Sequence, residues 1–244
     1  MCKYTAEYYD YDKRSFLTYK CPLPSLREEG KGDSDYCAIH DPEYWKEHQD
    51  EVVQILRNIV RQAEQRREPA LLIGANIPGP RIKEILGQEV KTLIYLNKAK
   101  IRRKADLSNT KFTKHASFAG ASFSGKASFA GAGFGDSAIF DRASFGGEAS
   151  FAGASFSGKA SFAGASFSGE VSFFMAGFGD SAIFDRASFG GEASFAGASF
   201  SGKASFAGAS FSGEVSFFMA GFGDSAIFDR ASFGGEASFA GASF

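Results

Sequence analysis

From Ala105 to Phe244 an apolar residue returns at alternating intervals of five and six: Leu107, Phe112, Phe118, Phe123, Phe129, Phe134, Phe140, and so on without a slip to Phe239 and Phe244. From Phe118 onward Ala stands two residues before each of these positions, replaced only by Val171 and Val215. Five plus six is eleven, which in a helix would point to a right-handed supercoil. The residue types exclude it, because Gly stands two residues after 15 of the 23 beats from Phe118 to Phe239 and Gly is costly inside a helix. As strand the unit works. Ala and Phe lie two apart and face one way, the residue between them faces the other, and the following Gly lets the chain turn. One such unit cannot bury a Phe alone, so the units must coil and stack into a solenoid.

The Ala-x-Phe units, with Ala105-Asp106-Leu107 as an Ala-Asp-Leu form, resemble the pentapeptide-repeat proteins, in the variant with five/six spacing. The resemblance implies a right-handed, four-sided β-helix with one unit per side and about 22 residues per coil. Residues 132–175 and 176–219 are identical over 44 positions, and 220–244 begin a third copy. Forty-four is two coils, so duplication kept every side in register. A loose Phe-Gly mesh would need neither the fixed spacing nor the Ala. The predicted fold is thus an all-β solenoid carrying a small helical head, divided into a head at 1–67, an N-terminal cap and irregular first coil at 68–104, and the repeat β-helix at 105–244.

The head has no such period. Residues 1–40 are polar, rich in Tyr (Tyr4, Tyr8, Tyr9, Tyr11, Tyr19, Tyr36), and read as irregular. They hold every cysteine of the chain, Cys2, Cys21 and Cys37, with His40 three residues beyond the last. Three thiolates and one imidazole make a complete tetrahedral Zn²⁺ set, and a Cys-x-x-His pair suits a tight turn that presents two ligands. Four protein ligands leave no open position, so the expected zinc is structural, ordering a segment with little core. The Cys-rich head also resembles that of some prokaryotic, often archaeal, pentapeptide-repeat proteins.

Asp41-Pro42-Glu43 predicts a helix start, and Trp45, Val52, Leu56, Ile59, Val60 and Ala63 form one apolar side up to about Arg67. His48 reads as a solvated helix residue. Pro69 ends the helix, Leu71-Leu72-Ile73-Gly74 reads as a buried strand and Pro78-Gly79-Pro80 as a turn. Counting the beat backward from Leu107 gives Ile101, Leu96 and Val90, which places the start of the coil near Val90.

Charge changes this picture little. The net charge is −1, with 19 Lys/Arg against 16 Asp/Glu in residues 1–104 and 6 against 11 in 116–244. There is no signal peptide and no apolar run long enough to span a membrane, so a cytoplasmic location is expected. Lys98, Lys100, Arg102, Arg103 and Lys104 cluster, but without interleaved aromatics they read as a solvated corner, not a nucleic-acid site. Stacking coil on coil places Glu148, Glu170, Glu192, Glu214 and Glu236 in one row about 4.8 Å apart. A neighbouring corner carries Ser137, Lys159, Ser181, Lys203 and Ser225. Phe174-Met175 and Phe218-Met219 replace a small outward residue and a Gly, and are exposed apolar candidates for contact with a partner.

No nucleophile–base pair or phosphate loop stands out in the sequence, and His115 stands alone among Lys111 and Lys114. The expected function is a non-catalytic scaffold that binds another protein or a second copy of itself. Phe244 is itself an inward position, which suggests either a fragment or an end-to-end homodimer through that coil. The family resemblance also implies another class, the duplex-DNA mimicry of some members that bind type II topoisomerases. An excess of only five acidic groups between Ala116 and Phe244 is thin for that role.

Overall fold

The computed structural model describes residues 1–10 and 13–244, so Tyr11 lies outside the described residues. From Ala70 onward the chain winds as a four-sided β-solenoid of about eight turns, with eight rungs on two faces and seven on the other two. Face I holds Ala116–Ser117, face II Ser122–Phe123, face III Ala127–Ser128 and face IV Gly133–Phe134. Each rung pairs in parallel with its equivalent one coil later, Ala116 with Ala138 and Phe123 with Phe145. The rungs are only two residues long, so the backbone bonds run between coils; Gly146 N–H donates to Phe123 O at 2.8 Å, for example.

All the predicted beats from Leu107 to Phe222 are inside, at 4% exposure or less, together with the Ala, Thr or Val two residues before each. The rings form four continuous stacks, one per face. Phe118 and Phe140 lie 4.7 Å apart and parallel, while Phe118 meets Phe129 edge-on at 5.6 Å. Both are favoured aromatic arrangements, so every ring is held along the axis and across it.

Two kinds of corner alternate. After Phe118 and its equivalents the chain turns through a left-handed residue, Gly120, Gly131, Gly153 and Gly164 among them, but also Arg142, Met175, Arg186, Met219 and Arg230. At the other corner Gly191 has an ordinary φ but no room. A Cβ there would lie 2.7 Å from the backbone carbon of Gly169 in the coil below.

The coil starts earlier than the backward count places it. Ala70–Leu71 pairs with Ile94–Tyr95 and Asn76–Pro78 with Lys100–Arg102, a step longer than the regular coil. The two extra residues fall in 79–88, where a 3₁₀ turn at Gly79–Arg81 and helix α3 (Ile82–Leu86) stand in place of a face III rung. Pro80 stands in the first turn of this 3₁₀ element, where its fixed φ suits a helical start.

The head is less irregular than its composition suggests. Strands β1 (Thr5–Asp10) and β2 (Ser15–Lys20) form an antiparallel hairpin, and their aromatic and β-branched content is the signal that overall polarity obscures. The predicted single helix is two, α1 (Tyr44–Glu47) and α2 (Gln49–Arg66), broken at His48. His48 is exposed, as expected, but it stacks on Tyr44 at 4.0 Å. The Asp41 carboxylate caps the turn that enters α1, accepting the N–H groups of Glu43 and Tyr44 at 2.9 and 2.8 Å. Val52, Val53, Leu56, Val60 and Ala63 of α2 are buried in one cluster with the first coils, while Ile59 is only partly covered. The helix therefore closes the N-terminal end of the solenoid.

Candidate functional site

The hairpin explains the long cysteine spacings. Cys2 and Cys21 flank its two strands and meet at its base, where Cys21 N–H donates to Tyr4 O at 3.1 Å and Cys2 N–H to Leu23 O at 2.9 Å. The segment before Cys37 is drawn alongside by the Lys3 N–H bond to Asp35 O at 3.0 Å. A tight turn then brings His40 back over Cys37, with the N–H groups of His40 and Asp41 both donating to Cys37 O.

The outcome is a buried set in which the ligand atoms of Cys2, Cys21, Cys37 and His40 all lie within 4.8 Å of one another. Cys21 Sγ is 3.6 Å from Cys37 Sγ, and His40 Nδ1 is 3.2 Å from Cys37 Sγ and 3.7 Å from Cys2 Sγ. With zinc–sulfur bonds of about 2.3 Å and zinc–nitrogen bonds of about 2.0 Å, tetrahedral edges fall near roughly 3.5–3.8 Å, so these donors fit the ion. The surroundings fit as well. His40 Nε2–H donates to Ile73 O at 2.8 Å, which leaves Nδ1 as the free lone pair, and Tyr4 stacks on the ring at 4.0 Å. Cys37 N–H donates to Cys2 Sγ at 3.3 Å. The hydrogen bond from Cys37, and after it His40, pulls the Cys21 thiol well below the usual thiol range, and the same bond pushes Cys37 up.

The centre also joins the head to the first coil. Ile73 lies between the first two rungs of the solenoid, and Asn76 in the second donates its backbone N–H and its amide to Ile39 O at 2.8 and 3.2 Å.

On the solenoid, Glu148, Glu170, Glu192, Glu214 and Glu236 form the predicted exposed row at the corner of faces II and III. Lys104 and Lys126 begin the same row, and Lys126 pairs with Glu148 at 2.6 Å. Together with the outward Ser128, Ser150 and Ser172 of face III, the row borders a groove of about 610 Å³. The corner between faces III and IV carries Phe174 and Phe218, 46% and 45% exposed, and Met175 and Met219, both 63% exposed. The basic cluster does not form one patch. Arg102 lies 5.8 Å over the Trp45 ring, while Lys98 and Arg103 occupy left-handed positions at different corners.

His115 has company that the sequence did not show. It is 3% exposed and its ring lies 5.7 Å from Tyr95. Burial pushes its pKa down to about 4, against the opposing pull of Asp136 and of Asp10 from the head. In the unfolded chain it titrates near its ordinary value of about 6.5, so between those two pH values the unfolded state binds a proton that the folded state refuses. This contribution is complete above pH ~6.5 and is lost as the pH falls toward ~4, by up to about 3 kcal/mol. Urea midpoints measured across that window should drop in the wild type by more than in His115→Gln.

Among the described residues no helix is long and apolar enough to cross a membrane. Comparison with curated proteins and comparison with solved structures return no match. The family model described as pentapeptide repeats (9 copies) matches residues 96–144, 134–177 and 176–220, a span that exceeds half of the chain. With the five/six beat, the coil it sets and this match in agreement, the chain belongs to the pentapeptide-repeat family.

Proposed function

We propose that this protein is a non-catalytic repeat scaffold that holds another protein against a side of its solenoid, with a structural zinc ion ordering the head. The observation that carries the reading is the pair of Phe-Met knobs. They expose large apolar side chains at one corner, two coils apart, on a rigid ladder that does not need them. Met175 and Met219 even hold left-handed backbone that Gly occupies in the intervening coils, a conformation costly for a side chain. Such residues have a use outside the fold.

The test replaces Phe174 and Phe218 by Ala and Met175 and Met219 by Gly, the residues that stand at these places in the neighbouring coils. This fourfold variant should fold at least as stably as the wild type and lose a partner that the wild type captures from its own cell extract. Equal capture by both proteins would reject the knobs as the contact.

Topoisomerase regulation by DNA mimicry draws less support. Duplex DNA carries about one charge per 1.7 Å, whereas the Glu row offers about one per 4.8 Å on a single corner. A supercoiling assay with a type II topoisomerase would show inhibition if that reading held.

A further inference from the structure

From Ala132 onward the charged corners of the solenoid differ in sign. The corner before face I alternates, with Asp136, Lys159, Asp180, Lys203 and Asp224. The corner after face I pairs Asp141 with Arg142 and Asp185 with Arg186. The corner before face III carries one sign. Past Lys126, which pairs with Glu148, it presents Glu170, Glu192, Glu214 and Glu236, all exposed. The units that cross this face read Glu-Ala-Ser-Phe-Ala-Gly or Glu-Val-Ser-Phe-Phe-Met, so the repeat sets no cation on the face or on either of its corners.

The far edge of the same face is apolar. Phe174-Met175 and Phe218-Met219 stand on it two coils apart, exposed. The same two units put Val171 and Val215 in place of Ala on the lining of the groove. Face III is therefore a trough with an acidic rim, a floor of half-buried Ser hydroxyls, and an apolar rim. Four residues lead from Glu170 to Phe174, about 13 Å of extended chain.

These spacings select what fits. An α-helix with its side chains is about 10–12 Å across, the width between the two rims. Along the axis the carboxylates recur about every 4.8 Å and the knobs about every 9.6 Å. On a helix, residues three or four apart rise about 4.5–6 Å and residues seven apart about 10.5 Å, so both rows are matched. An extended strand presents the same side about every 6.7 Å and keeps step with neither. A nucleic acid is repelled by the acidic rim.

We propose that face III docks an amphipathic helix of a partner protein, about three turns long, with Lys or Arg along one stripe and large apolar residues along the next. The cations face Glu170 to Glu236 and relieve the mutual repulsion of the carboxylates, while the apolar stripe covers the Phe-Met knobs. The inference rests on reading the knobs as the contact of a scaffold, and adds the chemistry of what they hold.

Fluorescence anisotropy of a labelled Leu/Lys peptide of about 18 residues, with Leu on one helical stripe and Lys on the adjoining one, tests it against the full chain under reducing conditions. The peptide should bind and gain helical circular dichroism, and a peptide of the same composition in shuffled order should bind at least about tenfold more weakly. A variant with Glu170→Gln, Glu192→Gln and Glu214→Gln should weaken binding by about tenfold or more, and so should the fourfold knob variant. All the replaced residues are exposed, and an unchanged β signal checks the fold of each variant. Absence of binding, or equal binding of the shuffled peptide, would overturn the proposal. If only the knob variant weakens binding, the knob contact stands and the basic helix falls. If only the glutamine variant does, the row is a general cation surface and the proposal falls as well.

Discussion

Phe167→Ser should destabilise the solenoid by about 4 kcal/mol, while Ser166→Asp, its immediate neighbour, should change stability by less than about 0.5 kcal/mol. The Phe167 ring is 1% exposed, stacked between Phe145 at 4.8 Å and Phe189 at 5.2 Å, and edge-on to Phe173 at 6.2 Å. Removing it leaves a cavity in the middle of a stack and places a hydroxyl where no donor or acceptor faces it. Ser166 is exposed on face II, and an added carboxylate there stays in water. Urea unfolding of both variants followed by circular dichroism gives the comparison. Equal tolerance of the two would mean that the inward stacks do not hold the coils.

Stripping the head of metal should have the other large effect. Protein produced with zinc should carry about one ion per chain, and Cys37→Ser should lose it. Zinc sites of this kind contribute about 10 kcal/mol or more of apparent binding energy, far above the stability that so short and polar a segment supplies for itself. A chelator should therefore release Trp45 from its buried position at the α1–α2 junction and open residues 1–67 to protease, while coils from Ala116 onward keep their β signal. Metal analysis that finds no stoichiometric zinc in reduced protein would remove this reading, as would a head equally protease-resistant with and without chelator.

The repeat was legible because each of its requirements is written at every rung. Phe and Ala inward, a small residue outward and Gly where coils touch leave one consistent period, and the arithmetic of the coil placed the Glu row from sequence alone. The head was legible by composition but not by shape. Cys2 and Cys21 stand far apart along the chain, and the pairing of β1 with β2 brings them together, a hairpin whose aromatic strands are obscured by the polarity of the segment. The backward count of the beat stopped at Val90 for a related reason. Ala70–Leu71 and Asn76–Pro78 lack the Phe beat, and α3 interrupts the third side, so the period that identifies later coils is absent where winding starts. The break at His48 also lay beyond reach, since the helical spacing of Trp45 and Val52 continues smoothly across it.

The agreement between the duplicated copies and two full turns has a consequence for how this protein can change length. Excising residues 132–175 would join Gly131 to Ala176, the same dipeptide as Gly131-Ala132, and bring every later residue back by two whole turns, about 9.6 Å, each onto the same face. Knobs and acidic row would both keep their sides. The molecule is therefore a graduated rod whose reach can be shortened or extended in fixed increments by recombination, and its surface marks stay aligned at every length.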